Sequence, residues 1–248
     1  MASYRERPGT GVVRCWWEQR VATPGLVQRV VPDGSSDLIV FADGEAVFVG
    51  PALRVALVPL PSGAHLRGVR FRTEALGPLL RLPARELRDA TLPLTAVLPD
   101  RVARTVAEQV WAGRFPDLPR ASLVDVRVRH AVRRLWSAEP AVADVAGELG
   151  VAERHLRRLF LDHTGMSPKA VQRVGRFQRF VRAVDAGRAG LAELAAEAGF
   201  ADQAHLTREV RALAGLTPGA FLLERSGRGV QPPGTGLQGV GEGGGRPA

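Results

Sequence analysis

Val142-Ala-Asp-Val-Ala-Gly-Glu-Leu-Gly150, followed by Val-Ala-Glu-Arg-His-Leu-Arg-Arg-Leu-Phe160 and closed by His163-Thr-Gly165-Met-Ser-Pro168, is echoed later in the chain. The second copy runs Leu191-Ala-Glu-Leu-Ala-Ala-Glu-Ala-Gly199, then Phe-Ala-Asp-Gln-Ala-His-Leu-Thr-Arg208, and closes Ala214-Gly215-Leu-Thr-Pro218. His155 and His205, Leu156 and Leu206, Arg158 and Arg208, Gly165 and Gly215, and Pro168 and Pro218 are all fifty residues apart. Each copy reads as a helix-turn-helix. Gly150 and Gly199 supply the left-handed residue at which a first helix stops. Val145, Ala146 and Leu149, and Leu194, Ala195 and Ala198, give each first helix an apolar face. Leu156, Leu159 and Phe160, and Leu206, Val210 and Leu213, anchor the helix that follows. Tandem units imply two reading heads on one piece of DNA.

The outward positions of the second helices carry the chemistry. Arg154, Arg157 and Arg158 are three forks that suit a guanine edge, where one good bidentate pair is worth roughly 1 to 3 kcal/mol of discrimination. The matching positions of the other unit are Gln203, Ala204, Thr207 and Arg208. Glutamine suits adenine, alanine meets a thymine methyl, and Arg208 takes guanine or phosphate. The bland alternative is two solvated helix faces. Ser167-Pro168 and Thr217-Pro218 each read as an N-cap followed by proline in the first turn. The helix from Pro168 to about Ala186 is long enough to be a rigid spacer. Its Arg173, Arg176, Arg179 and Arg182 either graze phosphates or are merely solvated.

Around this repeat the composition sets bounds. The 248 residues are 45% hydrophobic, enough for one large core or two modest ones, and 28 Gly with 18 Pro argue for many breaks. The net charge of +9 and a pI near 11.3 favour an acidic partner such as nucleic acid. Residues 1–120 and residues 121–225 each carry 16 basic and 12 acidic side chains, so bulk charge does not say which half binds it. Lys169 is the one lysine, a bias that a GC-rich genome explains as well as any selection for guanidinium chemistry. The single Cys15 excludes an internal disulfide, a thiolate zinc site and a redox pair, and reads as a buried structural thiol. The polar start and the lack of a long apolar run predict a cytoplasmic protein with no membrane partner.

Upstream, Val12 to Trp17, Leu26 to Val31, Asp37 to Phe41, Ala46 to Val49, Val55 to Leu60 and Leu66 to Phe71 read as short strands of a small barrel or sandwich. Asp43-Gly44 predicts a type I′ hairpin between the third and fourth pieces. Glu74 to Leu80, Ala84 to Arg88 and Pro99 to Ala112 read as helices. The expected fold is therefore α+β, a β-rich, barrel-like amino-terminal domain (1–115), a linker (116–121), an all-α domain of two helix-turn-helix units (122–225) and a disordered Gly/Pro-rich tail (226–248).

The repeat resembles the DNA-binding domain of the AraC/XylS family of bacterial transcription regulators, over about Val126 to Glu224. Glu193-Leu-Ala-Ala-Glu-Ala-Gly-Phe200, with Gln203, His205-Leu206, Arg208 and Gly215-Leu-Thr-Pro218, is similar to that family's signature. The resemblance implies two units joined by a linker helix that read successive major-groove segments. It carries base contact to Arg154, Arg157 and Arg158 in the first unit and to Gln203, Ala204 and Arg208 in the second. This sequence departs from the family pattern at Ala152, where a capping serine is common, and at Val210, where phenylalanine is usual. It also departs at Phe180, where a small residue is usual, and at Leu222, where arginine is common. Val210 is expected to weaken the packing of the second unit, which leaves the first unit with more of the affinity.

Val31-Pro-Asp-Gly-Ser-Ser-Asp-Leu-Ile-Val-Phe, Gly50-Pro and Gly68-Val-Arg-Phe-Arg72 resemble an uncharacterised amino-terminal domain found on some AraC-type regulators. The implied role is sensing or dimerisation. Trp17, Asp37, His65 and Arg70 are the candidate effector contacts, set against the bland reading of core aromatics and surface charges. No metal, cofactor or catalytic site is expected, since His65 is the only histidine before His130 and neither a phosphate loop nor a nucleophile elbow occurs. Besides double-stranded DNA, the candidate partners are a small effector, a second copy of the chain in a homodimer and, for an activator, RNA polymerase. Two other readings stay open: a small-molecule enzyme with a DNA-binding-like association domain, and an architectural DNA binder without sequence preference.

Overall fold

The computed structural model describes residues 3–22, 25–80, 82–116, 124–137, 140–188 and 190–227. Most of the expected linker and nearly all of the expected tail lie outside them. The first half holds β1 (Ser3–Pro8), β2 (Val13–Arg20), β3 (Leu26–Val30), β4 (Ser36–Phe41), β5 (Ala46–Val49), β6 (Ala56–Leu60), β7 (His65–Phe71) and β8 (Thr91–Pro93). Between and after the last strands come α1 (Leu76–Leu80), α2 (Leu94–Val97) and α3 (Asp100–Trp111). The helical half holds α4 (Val126–Ser137), α5 (Val142–Glu148), α6 (Glu153–Thr164), α7 (Pro168–Asp185), α8 (Leu191–Ala198), α9 (Gln203–Ala214) and α10 (Pro218–Gly227). No helix among the described residues is long and apolar enough to cross a membrane.

The strands form two separate sheets rather than one closed barrel. Six lie in the order β1-β2-β7-β4-β5-β8, and β3 pairs with β6 as a two-stranded ribbon. Alternation along the central strands decides what covers each face of the larger sheet. Leu38, Val40, Phe48, Val69 and Phe71 point to one side and pack with Leu76, Leu79, Leu94, Val106 and Val110 of the helices. Trp17, Ile39, Val47, Val49 and Leu66 point to the other and meet Val30, Val58 and Leu60 of the ribbon. β4 and β5 are joined at Asp43-Gly44 as expected, but not through a type I′ turn. Phe41 accepts from the Gly44 N–H at 3.0 Å and Asp43 Oδ1 from the Glu45 N–H at 3.1 Å, while only Gly44 has positive φ, at 91°. The aspartate side chain satisfies the turn and spares Asp43 the left-handed strain.

In the helical half, α7 is the axle. Val171 and Val174 enter the core of the first unit with Val145, Ala146, Leu156 and Phe160. Phe177, Phe180, Val181 and Val184 enter the core of the second with Leu194, Ala198, Leu206 and Val210. One helix buried in both cores fixes the units relative to each other. Val210 is fully buried, and Phe180 sits in the same core beside Phe177 and Phe221, at ring distances of 6.1 and 5.5 Å. Both departures from the family pattern, Val210 and Phe180, thus fall in one buried cluster.

The sheet domain docks on both units at equivalent places. Gly165 and Gly215 end α6 and α9 in the left-handed conformation, at φ of 71° and 70°. A Cβ on Gly165 would lie 2.8 Å from the carbonyl oxygen of Ala84 and 3.0 Å from Pro51, and one on Gly215 would lie 3.2 Å from Val55. Pro51, Leu53 and Val55 thus form a strap from one unit to the other, since Leu53 packs on the first core and Val55 on the second. Arg29 holds the second end, donating to the Ala214 carbonyl at 2.9 Å and to Glu224 at 3.1 Å. Gln178 donates to the Pro32 carbonyl at 2.7 Å between them.

Candidate DNA interface

Each recognition helix is oriented by its buried side. In α6, Leu156 and Phe160 are fully buried, which turns Arg154, Arg157 and Arg158 outward, and all three are exposed. In α9, Leu206, Val210 and Leu213 are fully buried, which exposes Gln203, Ala204 and Arg208 and leaves Thr207 half-buried. The hydroxyl of Thr207 donates to the Gln203 carbonyl at 2.8 Å, so its donor is turned back onto the helix. Arg158 donates to His155 Nδ1 at 3.0 Å, which draws its guanidinium along the helix surface. Arg154, Arg157 and Arg208 make no side-chain hydrogen bond or ion pair among the described residues. Their forks are thus exposed and unpaired, as readout of a base edge requires, although Glu153 lines the same groove as Arg154 and Arg157.

The helices start differently. Asp202 caps α9 by accepting from the His205 N–H at 2.6 Å. Ala152, at the same position of α6, makes no side-chain bond. Ala152→Ser is expected to stabilise the helical half by about 1 kcal/mol, measured by denaturant unfolding, because it supplies an acceptor to an amide of the first turn.

Of the four linker arginines, Arg182 is exposed as a solvated residue would be, while the other three take neither of the roles expected for them. Arg173 pairs with Glu209 at 2.6 Å, tying α7 to α9. Arg176 lies over the Phe200 ring at 5.5 Å, and Arg179 donates to the Ala198 carbonyl at 3.0 Å and to the Trp136 carbonyl at 2.7 Å. They tie the linker helix to the elements around it. Across the first unit, Arg134 and His130 of α4 hold Glu148 of α5, and these partners lower its carboxyl to about 2. A residue beside the candidate contacts that the sequence did not single out is Lys169. It lines a groove with Arg154 and Arg157 beside the Ser167 cap, where the amino end of α7 adds the positive pole of its backbone dipole. The signal was present only as a lone lysine next to a capping pair.

Of the candidate effector contacts, the structure gathers three and separates one. Trp17 donates to Asp37 Oδ1 at 2.8 Å, and Arg70 donates to the same carboxylate at 3.1 Å. Arg70 is 1% exposed and also faces Asp33 at 3.7 Å and Glu6 at 3.5 Å. Burial pushes the Asp37 carboxyl up to about 6, against the opposite pull of Arg70. Burial opposes the charge on Arg70 too, but Asp37 and Asp33 outweigh it and hold the guanidinium charged. Gly68 makes room for this arrangement, since a Cβ there would stand 2.3 Å from the Trp17 ring. Trp17 and Asp37 are thus bonded to each other inside the protein, 3% and 2% exposed. His65 stands apart at 2.6 Å from Glu18 and beside Trp111. Cys15 is buried with its thiol pushed up to about 12 by desolvation, which keeps it protonated and unreactive near neutral pH.

Comparison with known proteins adds two family matches. Residues 145–224 match a family described as a helix-turn-helix domain, and residues 10–93 match one described as a domain of unknown function, DUF6597. No curated protein matches the chain. Similar solved structures include an apo point variant of ToxT from Vibrio cholerae strain SCE256, at 11% identity and a TM-score of 0.44, covering 90% of this chain and 96% of that one. Another is unsaturated fatty acid bound wild-type ToxT from the same strain, at 11% identity and a TM-score of 0.42, covering 93% and 97%.

Proposed function

We propose that this chain, an AraC-type helix-turn-helix pair joined to a DUF6597 domain, is a sequence-specific transcription regulator that docks both units on one face of double-stranded DNA. The observation that carries the reading is the contrast among its arginines. Those of the linker helix α7 are mostly engaged with neighbouring elements, whereas Arg154, Arg157 and Arg208 are left outward at equivalent faces of the two recognition helices. Arg154 and Arg157, with Gln203 and Arg208, read base edges, and Ala204 meets a thymine methyl. Lys169 and the amino end of α7 hold a phosphate beside the first head. Arg158, drawn toward His155, and Thr207, bonded to its own helix, contribute less to readout. The sheet domain regulates, by an effector or by pairing of two chains, and its contacts with the ends of both recognition helices give that regulation a physical route.

Selection of bound duplexes from a random pool, followed by footprinting, tests the reading. The expected site is non-palindromic and roughly 20 base pairs long, two major-groove segments about one turn apart. Protection of a single groove segment would refute docking by both heads. Arg157→Ala is expected to weaken the selected site by about 1 to 3 kcal/mol while leaving scrambled duplex nearly unaffected at matched salt. Equal losses on both would reassign Arg157 to a phosphate. Equal affinity of the unaltered protein for selected and scrambled duplexes would favour an architectural binder instead.

A further inference from the structure

A cleft of about 720 Å³ opens between the sheet domain and α4, away from the recognition helices. Arg14 and Arg72 reach it from the sheet side and Arg129 and Arg133 from α4, with Val132 and Trp136 supplying apolar wall. Glu74 is the one carboxylate among its lining residues, and it faces Arg129 at 3.7 Å. Arg14 donates to Ser35 Oγ at 2.9 Å and faces the Asp33 carboxylate at 3.7 Å. Arg72 donates to the Gly11 carbonyl at 2.9 Å, and neither it nor Arg133 has an ion pair among the described residues. Four guanidinium groups around one concave space repel each other, and the protein supplies less negative charge there than positive. The crowding extends to the neighbouring Arg182, which burial and the facing Arg14 and Arg179 hold below the usual guanidinium range.

We infer that this interdomain cleft binds a small organic anion, with a carboxylate or phosphate held by the arginines and a planar apolar body against Trp136 and Val132. Guanidinium forks match both head groups bidentately, and the indole offers a stacking face. The volume suits one small molecule. A DNA backbone fits the site less well, because half of its wall belongs to the sheet domain and none of its lining residues lies on α6 or α9. A ligand here touches both domains at once, so it binds most tightly when they are docked.

The inference stands apart from the DNA reading, because its test contains no DNA in the first arm. The full chain, in buffer free of oxyanions, is titrated calorimetrically with phenyl phosphate, benzoate and inorganic phosphate, with sodium chloride at matched ionic strength as reference. Saturable binding of phenyl phosphate or benzoate is expected, with the tighter of the two identifying the head group. Arg133→Gln and Arg72→Gln are each expected to weaken it about tenfold or more, the loss of one charge-assisted contact. Arg101→Gln, on the exposed side of α3, should leave it unchanged. Melting temperatures in chloride that match the unaltered protein show that the variants fold. No saturable binding, equal affinity in all variants, or inorganic phosphate binding as tightly as phenyl phosphate would each overturn the inference. So would a second arm in which Arg133→Gln spares the organic anions but weakens scrambled duplex, since that assigns the residue to a DNA phosphate.

Discussion

Gly77→Ala is expected to destabilise the protein by about 2 to 4 kcal/mol and to separate its two halves, although alanine is the better helix former by about 1 kcal/mol. Gly77 lies in α1, and a Cβ there would stand 2.1 Å from the backbone oxygen of Asp162 and 3.2 Å from the His163 Cα, near the end of α6. Neither atom belongs to a flexible side chain, so the clash is relieved only by moving α6 away from the sheet domain. The pair of Arg85 with Asp162 and the packing of Gly165 on Ala84 and Pro51, both across this junction, would be lost. Thermal unfolding should split into two transitions and small-angle scattering should show a larger radius of gyration. Gly147→Ala is the control. Nothing lies within 4 Å of its Cβ, so the same substitution in α5 should stabilise by about 0.5 to 1 kcal/mol. Stabilisation by both changes would show that the halves do not dock as described.

Arg70→Met is expected to cost about 3 to 5 kcal/mol, among the larger effects available to one residue. Methionine fills much of the volume, so the loss is electrostatic. Asp37 and Asp33, 2% and 5% exposed, would be left in the interior without the guanidinium between them. Asp37 already ionises only near pH 6, well above its unfolded value of about 4. A carboxyl raised in the fold binds a proton more readily folded than unfolded, so its ionisation subtracts stability as pH rises through that window. Without Arg70 the window widens upward. The deficit relative to the unaltered protein should therefore be largest at neutral pH and shrink toward pH 4, as measured by urea unfolding across that range. A deficit that does not change with pH would mean that packing, not charge, makes Arg70 matter.

The elements were legible in the sequence wherever one face of an element is buried. The fifty-residue repeat placed α5, α6, α8 and α9, and apolar runs placed β3 to β7 within one residue and β2 within three. β1 escaped because it is an edge strand with nearly every residue exposed, so no alternation marks it. β8 escaped because three residues carry no period. The outward set on α6 and α9 followed from the same periodicity, since fixing Leu156 and Leu206 inside fixes Arg157 and Arg208 outside. What a polar side chain does once it is outside its own helix is another matter. Arg176 and Arg179 have the same local pattern as Arg154 and Arg157, yet the first pair is spent on Phe200, Ala198 and Trp136.

By itself, then, the sequence determined two helix-turn-helix units, their facing residues and a β-rich partner domain, because hydrophobic period is a local property of the chain. Only the tertiary structure decided which arginines remain available and that Asp37 and Trp17 are interior. It also decided that the sheet domain holds the ends of both recognition helices through Pro51 to Val55 and Arg29. Those outcomes depend on contacts between residues far apart in the chain, such as Arg29 with Glu224 and Gly77 with Asp162. A periodic pattern records that a face is covered, and carries no record of what covers it.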